Sequence, residues 1–339
     1  MGKATIAAGF ARALMELAVS KHASRKALAQ RSQIELKELN DQDNRIPFAK
    51  YVALMRAGQE LCNDPALALH FGEAFDMAEL SIVGLLGNAC GTVAEAFAQL
   101  NRYERLIADV DGVATGSRLV LSRSAGELWL VDTRKNPNDF PELTESSFAR
   151  MVCASRRIPS EQQFVRAVHF THAAPSYRAE YDRIFQMPVV FESEKNALLM
   201  TNDSWLINNT PLPSRYVFGI LSERAEALLK SLESSKSTRG RIESLLLPIL
   251  HTGDASMDRI ADKLALSRQT IFRKLRAEGT TFQKLLDELR HKMALHYLGG
   301  KKASVNQTAY LVGFSDPAAF SRAFKRWTGS SPRTMRLKD

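Results

Sequence analysis

Cysteine is sparse in this chain. Only Cys62, Cys90 and Cys153 occur, far apart and without metal-ligand spacing, so no disulfide framework and no zinc site can be built from them. An odd number of scattered thiols is the pattern of a reducing, cytoplasmic compartment. Long apolar runs are lacking too: the stretch Ile82 to Leu100 is broken by Asn88, Glu95 and Gln99, which makes it a buried helix and not a membrane span, and no secretory start is evident. Histidine contributes seven residues, and its one close pair, His169 and His172, would face opposite sides of a strand and not converge on a metal. The glycines form no phosphate-cradling loop. With no catalytic signature left, neither cofactor nor metal is expected, and the chain reads as a non-enzyme.

What the last hundred residues do contain is a motif written twice, 48 positions apart from Ile260 to Thr308. The first copy runs Ile260-Ala261-Asp262-Lys263-Leu264-Ala265-Leu266-Ser267 and continues from Arg268 to Arg276; the second runs from Thr308-Ala309 through Gly313-Phe314-Ser315-Asp316 and continues from Pro317 to Lys325. Each copy has a small alanine facing a partner helix, a small residue at the tight turn (Ala265, Gly313), and a capping residue. Ser267 and Asp316 suit the N-cap because a short side-chain oxygen can accept from the orphan amides of the first turn. Pro317 fits the first helical position, where its missing amide is no loss. Ile271 and Leu275 recur at i and i+4, as do Phe320 and Phe324, so each pair makes an inward stripe.

The opposite faces are then fixed by geometry. The first helix offers Gln269, Thr270, Arg273 and Arg276; the second offers Ala318, Ala319, Arg322 and Arg326. Gln and Arg can make bidentate bonds to adenine and guanine edges, and alanine or threonine methyls can lie against thymine. The second helix is therefore expected to be the weaker reader of sequence. A lone segment of this kind would equally suit an ordinary amphipathic helix with a solvated basic face, but duplication with matched internal order favours two helix-turn-helix units that enter the major groove. Residues 241–339 hold 18 Lys and Arg against 9 Asp and Glu, and residues 1–240 hold 28 against 28. All the excess positive charge thus sits with the repeated motif, as phosphate attraction requires. Between the copies, Phe282, Leu285, Leu286, Leu289, Met293 and Tyr297 recur at helical spacing up to a stop at Gly299-Gly300. A rod of about 18 residues is about 27 Å long, close to the roughly 34 Å between successive major grooves on one side of a duplex. Lys301-Lys302 reads as a solvated turn able to touch phosphate.

The segment from about Ile242 to Leu337 resembles the DNA-binding domain of the AraC/XylS family of transcription regulators. The likeness is carried by Ile260-Ala261 and Ser267 to Leu275, by Leu286, Arg290, Ala294 and Leu298, and by Thr308-Ala309, Gly313-Phe314, Phe320, Arg322, Phe324-Lys325 and Gly329 to Pro332. The resemblance implies seven helices, with base contacts from Gln269, Thr270, Arg273, Ala318, Ala319 and Arg322, and with Ser267, Arg268, Arg276, Lys325 and Arg326 flanking them or meeting phosphate. The chain departs from the family pattern at Met335, where an aromatic residue is usual, and at Pro317-Ala318-Ala319, where more polar residues are common.

At 339 residues the chain suggests two domains. The seam is expected at Ser231 to Gly240, with four serines and one large apolar residue, leaving 1–230 as a sensing and dimerising domain and 241–339 as the DNA-binding domain. In the first domain, helical spacing over Ala53, Leu54, Ala57 and Leu61, and a helix pair from Leu67 to Leu106, precede a switch to period two. Strands are expected at Arg118 to Ser122, Glu127 to Asp132, Phe164 to Phe170, Val189 to Glu192 and Ala197 to Met200. The fold class is accordingly an α+β sensor domain plus an all-α domain with two helix-turn-helix units joined by a long helix. Arg45-Ile46-Pro47, Asn63 to Leu69, Gly84 to Gly87 and Leu100 to Tyr103 resemble the effector domain of the ornithine-type branch of AraC regulators, sometimes labelled arabinose-binding by inheritance. That likeness implies a cytoplasmic, often dimeric sensor of a small molecule without naming the ligand. Trp129, Arg134, His169 and Trp205 are candidates to line its pocket. Leu221, Ala225, Leu228 and Leu232 form a short heptad seam that suits either a homodimer or docking onto the chain's own sheet. The expected function is a one-component regulator, an activator by family likeness, with promoter DNA, RNA polymerase and an effector as partners. The alternative is a DNA-modifying or repair enzyme carrying such a module, for which none of the three cysteines has a basic or histidine neighbour in sequence.

Overall fold

The computed structural model describes residues 4–110, 113, 117–157, 163–201, 213–299 and 303–336. Trp205, Gly300, Lys301, Lys302 and Leu337, invoked above, lie outside them. The chain forms two compact units, divided between Leu229 and Lys230.

The N-terminal unit begins with a short strand, β1 (Thr5–Ala7), followed by α1 (Ala8–Ser20) and α2 (Arg25–Ser32). Strand β2 (Arg45–Pro47) leads into α3 (Phe48–Leu61), and β1 lies between β2 and β3 (Ala108–Asp109) in a small antiparallel sheet. Arg45 binds the three strands together: its guanidinium donates to the Thr5 carbonyl at 3.0 Å, to the Thr5 hydroxyl, and to the carbonyls of Arg105 and Leu106 just ahead of β3. This sheet escaped the sequence reading because strands of two or three residues have no period to detect.

Four helices, not two, fill the stretch expected to be a pair: α4 (Leu67–Ala74), α5 (Met77–Leu80), α6 (Ile82–Ala89) and α7 (Val93–Ile107). The breaks have a local cause. Asp76, Ser81 and Thr92 each accept from a backbone amide of the following turn, so each starts a new helix.

The larger sheet takes β4 (Leu119–Ser124), β5 (Glu127–Asp132), β6 (Val165–His169), β7 (Val189–Val190) and β8 (Ala197–Met200) in the order β4-β5-β8-β6-β7, antiparallel except for β6 with β7. The β4–β5 turn is tighter than expected. Ala125 and Gly126 at φ 51° and 79° form it alone, the double left-handed pattern of a two-residue hairpin. Alternation then divides the sheet's faces. Leu128, Leu130, Leu198 and Met200 pack toward α8 (Glu142–Ser155) and α9 (Arg178–Phe185), whereas Trp129, Ala167, Ala197 and Leu199 form a separate cluster on the other face.

Helix α10 (Arg215–Lys236) turns its seam inward: Ala225 is fully buried, and Leu221 and Leu228 are half-buried. Tyr103 and Arg102 of α7 both donate to Glu226, at 3.1 and 2.9 Å. The seam is thus turned toward its own chain at Ala225, and the neighbouring Glu226 is held by α7. Tyr216, Val217 and Ile220 are the apolar residues that α10 leaves exposed.

The stretch Ser231 to Gly240, expected to be a linker, is helical except at Ser237. Helix α10 runs through Lys236, and α11 (Thr238–Leu246) starts with the Ser237 hydroxyl accepting from Gly240 N at 2.9 Å. Serine here caps a helix instead of loosening the chain, and Gly240 is a packing glycine, since a Cβ on it would meet the Ser234 carbonyl oxygen at 1.8 Å.

Beyond α11 the C-terminal unit continues with a 3-10 turn (Leu247–Thr252), α12 (Met257–Leu264), α13 (Arg268–Ala277), α14 (Phe282–Leu298), α15 (Val305–Leu311), α16 (Pro317–Thr328) and α17 (Pro332–Arg336). From α11 to α17 this is the seven-helix arrangement that the resemblance implies. Two cores serve the two halves. Ile260, Ile271 and Leu275 pack with Leu285, Leu286 and Leu289 of α14, and Ala309, Phe320 and Phe324 pack with Ala294 and Leu298 of the same helix. One helix is thus the floor of both motifs.

Candidate nucleic-acid interface

Helix α13 forms as its residues dictate. The Ser267 hydroxyl accepts from Thr270 N at 3.2 Å, Ile271 and Leu275 are buried, and Gln269, Arg273 and Arg276 stand exposed on the other side, with Thr270 half-buried at the edge. The turn before it requires a left-handed residue, and Ala265 supplies one at φ 51°. Phe272 is not among the residues singled out from the sequence. It is 56% exposed and shares the i, i+3, i+4, i+7 row of Gln269, Arg273 and Arg276. The legible signal was spacing: Phe272 is one position past Ile271, about 100° around the helix from it, and three past Gln269, at the edge of the exposed row.

Helix α16 repeats the plan. The Asp316 carboxylate accepts from both Ala318 N and Ala319 N at 2.9 Å, which holds it below the usual carboxylate range. Phe320, Ala323 and Phe324 are buried, Ala318, Arg322 and Lys325 are exposed, and Ala319 is half-buried. The preceding turn is Gly313 at φ 80°, where an added Cβ would meet the Leu250 carbonyl oxygen at 2.2 Å. From α14, Arg290 donates to the Gly313 carbonyl at 3.2 Å and lies over the Phe314 ring at 4.7 Å, so the second motif is clamped to the joining helix through its turn.

Three of the basic residues at this surface already have acidic partners. Arg268 pairs with Asp258 at 3.3 Å, Arg326 with Asp287 at 3.1 Å, and Arg322 more loosely with Asp316 at 3.9 Å. Among the described residues Arg273, Arg276 and Lys325 have no such pairing.

The pocket candidates of the N-terminal unit fare differently. Trp129 sits on the far face of the sheet, edge-on to His169 at 4.9 Å and under the Lys195 ammonium at 3.6 Å. Arg134 is bound to Asp132, to the Phe140 carbonyl and to Thr144; with Arg118 it outweighs the burial that would raise the Asp132 carboxyl and holds it at about 2. None of these three lines the large cavity, of about 610 Å³, that opens on the sheet's other face between β5, β8 and α6, α7, α8. None of the three cysteines forms a disulfide, and burial pushes each thiol up, away from the reactive thiolate.

A family profile described as the arabinose-binding domain of AraC transcription regulator, N-term, matches residues 23–206, more than half of the chain. The chain belongs to the AraC family. A helix-turn-helix domain profile matches residues 260–338 of the regulator, which covers α13 and α16. Along its length the regulator is 27% identical over 328 residues to the ornithine utilization regulator of Pseudomonas aeruginosa, covering 96% of this chain and 95% of that one. Its C-terminal part is 38% identical over 120 residues to the transcriptional activator RhaS of Escherichia coli, covering 34% of this chain and 42% of that one. Among solved structures, that of the transcriptional regulator CdpR from Pseudomonas aeruginosa aligns over 80% of this chain and 87% of its own, at 21% identity and a TM-score of 0.37. The regulator is thus a DNA-binding transcription regulator with an effector domain, and the alternative of a repair enzyme gives way to that assignment.

Proposed function

We propose that α13 and α16 read two successive major grooves of promoter DNA, with base contacts from Gln269, Thr270 and Arg273 in the first and from Ala318, Ala319 and Arg322 in the second. Ser267, Arg268, Arg276, Lys325 and Arg326 hold flanking phosphates. The observation that carries this reading is the exposed row Gln269, Arg273, Arg276 set opposite the buried pair Ile271 and Leu275 on one capped helix. Phe272 joins that row as an apolar contact for a thymine methyl. Helix α16 presents two alanines where α13 presents glutamine and threonine, so α13 sets most of the sequence preference. Residues 1–230 form the sensing half and 241–339 the reading half. The same reading takes the protein as an activator, the word that the name of its relative RhaS carries, and as a cytoplasmic homodimer that contacts RNA polymerase.

Footprinting with a randomised duplex pool tests it. Arg273→Ala is expected to lose about 1–3 kcal/mol of specific binding and to relax preference at one base pair. An unchanged consensus in that variant refutes the assignment. Lys325→Ala is expected to lower the salt dependence by about one phosphate contact while leaving the consensus intact.

A further inference from the structure

The cavity of the N-terminal unit is walled mainly by Val83, Val93, Phe97, Leu130, Leu198 and Met200, and its volume of about 610 Å³ lies in the range of small-molecule sites. Its charged lining is not balanced. Arg118, Arg150 and Arg157 face it together with Asp76 and Glu104. Arg118 is taken by Asp132 at 2.8 Å and Arg157 by Asp76 at 3.1 Å, while Glu104 accepts the Arg118 backbone amide at 2.7 Å.

Arg150 is the exception. It is 5% exposed, and among the described residues its one hydrogen bond runs from Nε to the Phe75 carbonyl at 3.2 Å. Its guanidinium lies over the rings of Phe10 and Phe71 at 5.4 and 5.2 Å, Nη2 is buried with no hydrogen-bond partner, and no carboxylate pairs with it. Burial pulls its pKa down to about 10, which leaves it charged at neutral pH. An unpaired buried cation is costly unless something completes it. Ring faces attract a cation but cannot accept its N–H bonds directionally, as a carboxylate fork can.

We propose that this cavity is the effector site and that it takes an apolar monocarboxylate, with the carboxylate on Arg150 and the hydrocarbon against the sheet and α7. The inference rests on the assignment of the N-terminal unit as an effector domain. A sugar would leave most of its hydroxyls facing apolar wall, each unpaired group a loss. A diamino acid would bring ammonium groups into a mainly apolar wall whose two carboxylates, Asp76 and Glu104, are already engaged by Arg157 and by the Arg118 amide. The carboxylate end supplies the missing partner, and the chain fills the apolar space.

Calorimetry on the full-length protein tests this, using linear monocarboxylates of about four to about twelve carbons, 4-phenylbutanoate, the methyl ester and primary alcohol of each acid, ornithine and arabinose. Affinity for the linear acids is expected to rise about threefold to fourfold per methylene until the cavity is full, with each acid at least about tenfold tighter than its ester. Arg150→Leu is expected to bring the acid down to the level of the ester and to leave the ester unchanged. Equal binding of acid and ester by the wild type, no binding of any acid, or tighter binding of ornithine or arabinose would overturn the proposal. The acid and ester comparison in the wild type stands even if the variant does not fold. Operator binding without ligand, measured in parallel, reports on DNA reading alone, so failure here and failure of the DNA-reading assignment are distinct results.

Discussion

Glu145 shows what burial does to a single side chain. It is 1% exposed on α8, its Oε1 accepts the Tyr181 hydroxyl at 2.6 Å, its Oε2 has no hydrogen-bond partner, and burial pushes its carboxyl up to about 7 against the help of Tyr181. In an unfolded chain the same carboxyl titrates near about 4.3. Between those two values the folded protein keeps a proton that the unfolded chain releases, so stability falls as pH rises through the window and levels off above it, by at most about 4 kcal/mol. Glu145→Gln keeps an acceptor for Tyr181 and cannot ionise. Urea midpoints at pH 5 and pH 8 are expected to differ markedly less in that variant than in the wild type, and equal differences would contradict this account. Nothing in the sequence marked Glu145, because its neighbours in space, Tyr181 and His172, are distant along the chain. The same limit explains Arg150 and the cavity, which are assembled from helices and strands spread over most of the unit. Residues on one reading helix were legible for the opposite reason: Ser267, Ile271, Arg273 and Leu275 need only the helical period to be placed.

At the scale of elements, strong periods and caps carried the sequence reading and their absence defeated it. The hairpin β4–β5, the strands β6 and β8, and the helices α13, α14 and α16 lay where alternation, period or capping put them. The three-stranded sheet, α2, α8 and α9 did not, and the helical state of the serine-rich seam was not legible because composition does not distinguish a capping serine from a flexible one. The two tight turns make a sharper comparison. Ala265 and Gly313 occupy equivalent left-handed positions, yet only Gly313 has a carbonyl, that of Leu250, against its α-carbon. Gly313→Ala therefore combines backbone strain with a steric clash and is expected to destabilise the protein by about 2–4 kcal/mol. Ala265→Gly removes strain at the same place in the other motif and is expected to shift stability by less than about 1 kcal/mol. Chemical denaturation of the two variants checks the asymmetry, and similar effects would mean that the Leu250 carbonyl can move aside.

For the molecule as a whole, charge and apolar surface point to different partners. All of the net positive charge lies in residues 241–339, which suits a polyanion, whereas the exposed apolar row Tyr216, Val217 and Ile220 on α10 belongs to the neutral half. Pairing of two copies through this row replaces the inward-turned seam Leu221, Ala225 and Leu228 as the expected contact. Sedimentation at micromolar concentration is expected to show a dimer that Ile220→Asp disrupts, and a wild-type monomer both with and without DNA would remove the pairing. The acidic partners of Arg268, Arg322 and Arg326 have a further effect on this surface. Asp258, Asp316 and Asp287 are built-in rivals of any incoming backbone oxygen, so a stray duplex must first evict them. On the proposed DNA-reading assignment, random duplex is therefore expected to gain less from these arginines than their count suggests, whereas a matched promoter adds base-edge bonds to the exchange.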